Sequence, residues 1–559
     1  MDRRVFLKNA ARAAAAGMVS GPLIQGCARS SMFDIVIRGG LVYDGLGGPP
    51  YAADVGIGQG DIKSIGKLEN TRGAAVIDAR GQAVAPGFID VHDHSDLGLL
   101  ANPNAESAVH QGITTLISGQ CGSSPFPVVP ATLDEHKQNA SKVYGVEWDW
   151  DDLTGFLARL EKRGTAVNYA TLVGNGPIRG AVVGLADRPA TAPEIERMRG
   201  LVSDHLRAGA FGLSSGLEYQ PSGFARPDEV AGLCRVVAGF SGVYATHLRD
   251  EGDGLLESLD ESIAAARVSG VKLQISHFKT AYERNWSKLD PALARLEQAR
   301  RDGLDIFCDR YPYIAASTSL SFYFPAWAKE GTTEDFLNRL RDPALETRIR
   351  AHVDEQRVKL GSWENVVISS VVLEKNRHLQ GVDISRAARE AGRDPYVFLK
   401  DLILEERDNV GMVTFIMNED NLRRILSHPL VGVGCDGSAV APYGIMSLDK
   451  PHPRNYGTFP RTLGRYVRDE KILPLEAMIR KITSVPAARF GFSKRGAVKP
   501  GYHADIVVFD PDRIEDRATW KDPHQYPEGI NFVIVNGRVT VEHNRHTGEL
   551  AGRILRKGA

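Results

Sequence analysis

The sequence has no surplus of charge of either sign. Its 559 residues carry 68 Lys and Arg against 69 Asp and Glu, a formal net charge of -1. Proteins that bind nucleic acid ordinarily present a basic domain, and this balance offers none. It is equally unsuited to a strongly anionic membrane target. Cysteine is scarce: Cys27, Cys121, Cys234, Cys308 and Cys435 are odd in number, far apart and without a CxxC pair, which excludes a disulfide scaffold. No segment approaches the roughly 20 apolar residues that a spanning helix needs. Short-period repeats are absent, and low complexity is confined to an alanine-rich leader. What remains is an ordinary globular composition, 43% hydrophobic and 25% charged. The length is that of several domains of about 150 residues.

The first residues read as an address. Arg3-Arg4, one residue, then Phe6-Leu7-Lys8 resembles a twin-arginine export signal. A modest apolar stretch follows, and it ends Leu23-Ile24-Gln25-Gly26-Cys27, which resembles a lipobox. Residues 1–30 are therefore expected to direct export, with Cys27 as the lipidation site, and are set aside from the fold. The resemblance implies a protein of the bacterial periplasm, or one lipid-anchored at the cell envelope, that touches the membrane only through its N-terminal lipid.

Short alternating runs with turn signals fill 33–85, such as Phe33–Arg38 and Asp61–Ile65, and the same texture returns at Ala504–Asp510 and Val533–Val539. One small β domain built from 31–85 plus 496–559 is expected. Between them, 86–495 alternates apolar strand-like runs with helical ones. The candidate strands are 88–92, 114–119, 168–173, 210–215, 242–247, 271–277, 304–309 and 430–435. Eight such strands with helices between them predict an α/β fold, a (β/α)₈ barrel. Residues 314–427 are too long for a crossover and carry charged helical stretches, so an inserted helical subdomain or lid is expected before the last barrel strand.

The notable polar residues end these strands, where a barrel's active site lies. His92 and His94 alternate along the first strand and so face one side. Cys121 follows the second, His247 ends the fifth, His277 the sixth, and Asp436 follows the eighth. Imidazoles, a thiol and a carboxylate converging on one mouth suit a divalent metal, zinc above all. A lone HxH or a lone cysteine is more often structural; six such residues in register are hard to reach by chance. Cys435, beside Asp436, points to the opposite face and is expected behind the barrel wall, with Cys234 and Cys308 in the core.

These motifs resemble the amidohydrolase superfamily. Ser118-Gly119-Gln120-Cys121-Gly122 in place of a carboxylated lysine is similar to the D-aminoacylase branch, the N-acyl-D-amino-acid deacylases. Gly212–Tyr219, Thr246–Glu251, Ser276–Lys279 and Pro453–Arg461 agree with it. Arg310, which follows Asp309 where a small or apolar residue is expected, and Phe278 depart from the family's pattern near the substrate pocket. The resemblance implies a β-sandwich formed from both termini. It also implies one tight zinc on Cys121, His247 and His277, and a second, weaker position at His92, His94 and Asp436. Asp436 would be the general base in hydrolysis of a small N-acylated D-amino acid. Cations and tyrosines near the site, namely Lys279, Tyr219, Tyr311, Arg310, Arg454 and Arg377, are the candidates for the substrate carboxylate. Glu218, Glu251 and Glu419 are candidates for holding ligand histidines through their second nitrogen. The alternatives are a related hydrolase of D-dipeptides or cyclic amides and, more remotely, a lipoprotein that binds ligand without turnover. No nucleic-acid partner is expected.

Overall fold

The computed structural model describes residues 33–69, 71 and 74–558. The export signal and Cys27 lie outside them. Strand-forming segments such as Ile113–Ser118 are buried along their whole length, as expected of parallel strands covered on both faces. Parallel pairing joins Phe88–Asp90 to Ile113–Ser118 and Ile113–Ser118 to Asn168–Thr171. That strand breaks at Leu172 and resumes as Val173–Gly174, which pairs with Gly212–Gly216. The order continues through Val243–His247, Lys272–Ile275, Ile306–Arg310 and Val431–Val433. A parallel bridge between Asp93 and Gly437, with the Asp436 amide donating to the His92 carbonyl at 2.8 Å, brings the last strand back to the first. Eight parallel strands thus follow one another in a closed order.

Helices cover the outside of this ring. Ala192–Arg207 begins with a capping box between Thr191 and Glu194 and a proline in its first turn. Leu255–Ser269 ends at Gly270, whose φ of 72° only glycine adopts cheaply. Outward-facing Leu116, Tyr244 and Leu273 join the helices in the largest core. Their alternates Ile89, Ile117, Ala170 and Ala245 fill the ring together with Phe490.

The two terminal segments do combine. They form one continuous nine-stranded sheet in which Ala83–Pro86 pairs antiparallel with Ile506–Phe509. Ile37, Val55 and Ile57 of one terminal segment share a core with Ile506, Val508 and Ile534 of the other, and the sheet is irregular where Ile35–Val42 bulges between Ile37 and Gly40. The last residues then leave the sheet and run along the barrel. Gly552 donates to Thr165, Leu555 to Tyr169 and Lys557 to Gly209.

The insertion before the last barrel strand is not purely helical. Ala315–Ser319, Val410–Phe415 and Val366–Val371 make a three-stranded antiparallel sheet. Helices such as Thr333–Arg341 and Pro395–Glu406 pack on it around Leu337, Trp363 and Leu399, a core separate from that of the barrel. Its boundary also moves. Helix Glu419–Ser427 places Leu422, Ile425 and Leu426 in the barrel core and therefore belongs to the barrel. Among the described residues no helix is long and apolar enough to cross a membrane.

Candidate metal centre

At the C-terminal ends of the strands, five of the six predicted ligands line a cavity of about 570 Å³. His92 lies behind them, fully buried. Donor atoms of His92, His94, Cys121 and Asp436 all lie within 4.8 Å of one another, and so do those of Cys121, His247 and His277. The Cys121 Sγ is common to both groups. It lies 3.3 Å from His92 Nε2 and 3.4 Å from His277 Nε2. Asp436 Oδ1 lies 3.3 Å from His92 Nε2 and 3.2 Å from His94 Nε2.

The backbone is bent to achieve this convergence. Cys121, His277 and Asp436 have φ of 53°, 36° and 51°, a left-handed conformation uncommon for residues with a Cβ. Hydrogen bonds hold it: the His277 amide donates to Asp309 Oδ1 at 2.8 Å. Glycine makes the Cys121 loop possible. A Cβ on Gly122 would lie 2.4 Å from the Gly216 nitrogen, and one on Gly216 would lie 2.1 Å from the Cys121 carbonyl oxygen. The two backbones touch, so neither position tolerates a side chain.

Carboxylates orient the imidazoles. His92 Nδ1 is 2.9 Å from Asp309 Oδ1, whose other oxygen accepts from Gln274. His277 Nδ1 is 3.0 Å from Glu251 Oε1. His247 Nε2 is 2.8 Å from Glu218 Oε2 and 3.8 Å from Glu251 Oε2. Glu218 and Glu251 thus take the role expected of them, whereas Glu419 accepts from Tyr466 and pairs with Arg465 instead. Asp309 was missed as a holder of His92. Its signal was available, since it ends a barrel strand as the ligand residues do.

The charges are tuned for a cation. Burial opposes ionisation of Cys121, but the neighbouring His92 and His277 hold the thiol well below its ordinary range. Burial likewise opposes charge on His94 and His247, yet Asp436 and Cys121 beside the first, and Glu251, Cys121 and Glu218 beside the second, push each up to about 10. Asp436 is held well below the usual carboxylate range, against burial, by Arg454 and then His92. Protons on these histidines would balance the thiolate and carboxylates around them. A divalent ion would displace those protons and take over the neutralising role. The donor set, one thiolate with imidazoles and a carboxylate, fits zinc.

The predicted substrate contacts divide. Tyr219, Lys279, Tyr311 and Arg454 line the cavity. The Lys279 ammonium is already engaged, donating to both oxygens of Glu251 at 2.5 Å and lying 2.8 Å from His277 Nδ1. Arg454 Nη1 lies 2.8 Å from Asp436 Oδ2. The Tyr311 ring centroid lies 4.1 Å from the guanidinium carbon of Arg310 and 4.8 Å from that of Arg454. Its buried hydroxyl has no partner among the described residues. Arg310 is a correction: it does not line the cavity but sits behind Tyr311 and donates to the Tyr313 carbonyl. Arg377 is another, lying in the inserted subdomain with Glu374 at 3.5 Å and away from the cavity. Lys329, from that same subdomain, lines the cavity and was not anticipated. It donates to the Ser321 carbonyl, and burial lowers it to about 8. Cys435, Cys234 and Cys308 are buried as expected.

Comparison with known proteins gives one consistent result. Residues 75–541 match the model of the Amidohydrolase family. The D-aminoacylase of Alcaligenes xylosoxydans xylosoxydans is 33% identical over 95% of this chain and 99% of its own. The N-acyl-D-glutamate deacylase of the same organism is 35% identical over 94% and 97%. The crystal structure of the N-acyl-D-glutamate deacylase of Bordetella bronchiseptica, complexed with zinc and a phosphonate inhibitor that mimics the tetrahedral intermediate, superposes with a TM-score of 0.79. It is 32% identical and is matched over 94% of this chain and 99% of that one.

Proposed function

Since the chain belongs to the amidohydrolase family, we propose that it is a zinc-dependent hydrolase that removes the acyl group from N-acyl-D-amino acids. The observation that carries this reading is the convergence of Cys121, His247 and His277 on a cavity floor that also presents His94 and Asp436. A closed structural site would leave the second group of donors idle.

Cys121, His247 and His277 would hold the tight zinc, and His92, His94 and Asp436, with Cys121 shared, a weaker second position. The metal supplies Lewis acidity and brings the pKa of water down to about 7. Asp436 accepts the proton of the attacking water and returns it to the leaving nitrogen, which converts the amide to a carboxylate and a free amine. The Tyr311 hydroxyl, buried and unpartnered, is placed to donate to a substrate oxygen. Arg454 binds the substrate carboxylate in exchange for Asp436. Glu251 and Lys279 act as a pair, fixing the ring of His277 rather than binding substrate. The inserted subdomain contributes Ser317, Thr318, Phe322 and Lys329 to the cavity wall. The N-terminal residues add export and lipid attachment at Cys27, which mass analysis of the mature N-terminus tests.

The deciding experiment is release of free amine by the zinc-loaded protein from matched N-acetyl-D- and N-acetyl-L-amino acids. Turnover in the D series, lost by 10²–10⁴-fold in Asp436→Asn with zinc retained at the tight site, is the expected result. Turnover of neither series would redirect the assignment to D-dipeptides or cyclic amides.

A further inference from the structure

His452 belongs to neither group of metal donors, yet it is 1% exposed and its two ring nitrogens face different parts of the fold. It stands in the run Pro451-His452-Pro453-Arg454. Each proline fixes its own φ and restricts the residue before it, so this stretch of backbone is stiff. The helix Arg454–Arg461 begins immediately after it.

The partners of the ring fix its tautomer. The Arg454 amide donates to Nδ1 at 2.9 Å. A backbone N–H can only donate, so Nδ1 presents a lone pair. Nε2 lies 3.0 Å from the Ala315 carbonyl oxygen, which can only accept, so Nε2 carries the proton. Burial, and then the Arg454 guanidinium, hold the imidazole well below its ordinary range, in keeping with this neutral form. Trp520 and Tyr313 meet the ring edge-on, with centroids at 4.8 and 5.1 Å, and limit its rotation.

The two hydrogen bonds join segments that both supply the reaction cavity. Ala315 opens the strand Ala315–Ser319 of the inserted subdomain, and Ser317 and Thr318 of that strand line the cavity. Arg454 is the first residue of its helix, where backbone N–H groups have no partner within the helix. His452 satisfies this one. The Arg454 guanidinium in turn donates to the Ser317 carbonyl at 3.5 Å and lies 2.8 Å from Asp436 Oδ2. The ring of His452 bonds to no metal donor; its reach toward the site runs through Arg454.

We propose that His452 is a positioning residue for substrate binding: it ties the Arg454 backbone to the first strand of the inserted subdomain and so sets where the guanidinium meets the substrate carboxylate. The inference rests on the deacylase reading, which takes Arg454 as the carboxylate contact, and deepens it. A ring that only filled space between Tyr313 and Trp520 would serve equally well as phenylalanine. A ring that places Arg454 would not, and its loss would matter only while the guanidinium is there to be placed.

Steady-state kinetics of the zinc-loaded protein on an N-acetyl-D-amino acid and on its carboxamide counterpart test this. His452→Phe keeps an aromatic ring and gives up both hydrogen bonds. It should raise KM for the carboxylate substrate about tenfold, with a smaller change in kcat and zinc content unchanged. KM for the carboxamide should stay within about twofold, and so should KM for the carboxylate when His452→Phe is added to Arg454→Ala. His452→Gln retains a donor for the Ala315 carbonyl but no acceptor at the place of Nδ1. It should behave as His452→Phe does, and it carries the same cycle if the phenylalanine variant fails to fold. His452→Asn, whose side-chain oxygen stands near the place of Nδ1, should restore most of the wild-type KM. An unaltered KM in both His452→Phe and His452→Gln, equal rises for carboxylate and carboxamide, or effects additive with Arg454→Ala would overturn the role of His452 in an enzyme that remains a deacylase. Absence of turnover by the wild type would overturn the deacylase reading and this inference with it.

Discussion

Arg454 faces Asp436 across 2.8 Å, on the oxygen opposite the one that faces His92 and His94. The carboxylate is therefore shared between the histidines of the donor cluster and a guanidinium that lines the same cavity. A substrate carboxylate that draws Arg454 away leaves Asp436 a stronger base at the moment it is required. Arg454→Ala should accordingly raise KM at least about tenfold, the loss of about 1.4 kcal/mol of binding, with zinc content unchanged because no guanidinium ligates the metal. Steady-state kinetics beside metal analysis decides this, and an unaltered KM would strike Arg454 from the substrate contacts.

Glu251 is tied to three cavity groups, Lys279, His277 and His247. Carboxylates that orient ligand histidines are worth about 10–100-fold in metal affinity. Glu251→Gln is expected to weaken zinc binding by that factor in a chelator competition. Lys279→Ala should weaken it less, since the Glu251 carboxylate remains against His277. Equal zinc affinity in Glu251→Gln and the wild type would show that the ring of His277 needs no such support.

Gly122 tests the strained loop that carries the thiol. Its φ is 72°, and an added Cβ would press on the Gly216 backbone. Gly122→Ala should displace Cys121 and lose zinc at the tight site while the far-ultraviolet circular dichroism of the barrel persists. Full zinc occupancy in that variant would mean that the loop yields without moving the sulfur.

His110 predicts an acid limb of stability unconnected with catalysis. It is buried, its Nδ1 lies 2.7 Å from the Glu106 carbonyl oxygen, and its ring stacks on Tyr526. Burial lowers it to about 4, so the folded state refuses a proton that the unfolded chain accepts near pH 6.5. The unfolded state then binds more protons between these values, and stability is lost as pH falls from about 6.5 to about 4, by about 3 kcal/mol. His110→Phe retains the stack and should flatten this limb in urea titrations at pH 7, 5.5 and 4.5. Parallel pH dependences in variant and wild type would assign the limb to other groups.

The barrel strands and the convergence of His92, His94, Cys121, His247, His277 and Asp436 were legible in sequence because the same rule produces both. Each run of apolar, β-rich residues stops at a polar side chain that the barrel turns toward its mouth, as at His247 and His277. The inserted sheet was hidden because its first strand, Ala315–Ser319, is small and polar and its partners lie far along the chain among helices. Helix Glu419–Ser427 looked like part of the insertion because only its packing, not its pattern, places it on the barrel. Arg310 and Arg377 illustrate a different limit. A cation in a motif announces charge, but whether it reaches the cavity depends on stacking against Tyr311 or pairing with Glu374, which only the tertiary fold decides.

The sheet built from both ends of the chain sets a timetable for synthesis. Val84 finds its partner in Val508, which leaves the ribosome only after the whole barrel and its insertion. The cost of closing so long a loop grows only slowly with its length, so the finished sheet is not weakened by it. Until then, Ala83–Pro86 presents an open strand edge, the kind of surface on which nascent chains aggregate. The most fragile period for this protein is its birth, and chaperone dependence should be greatest in chains whose translation stalls before Ile506.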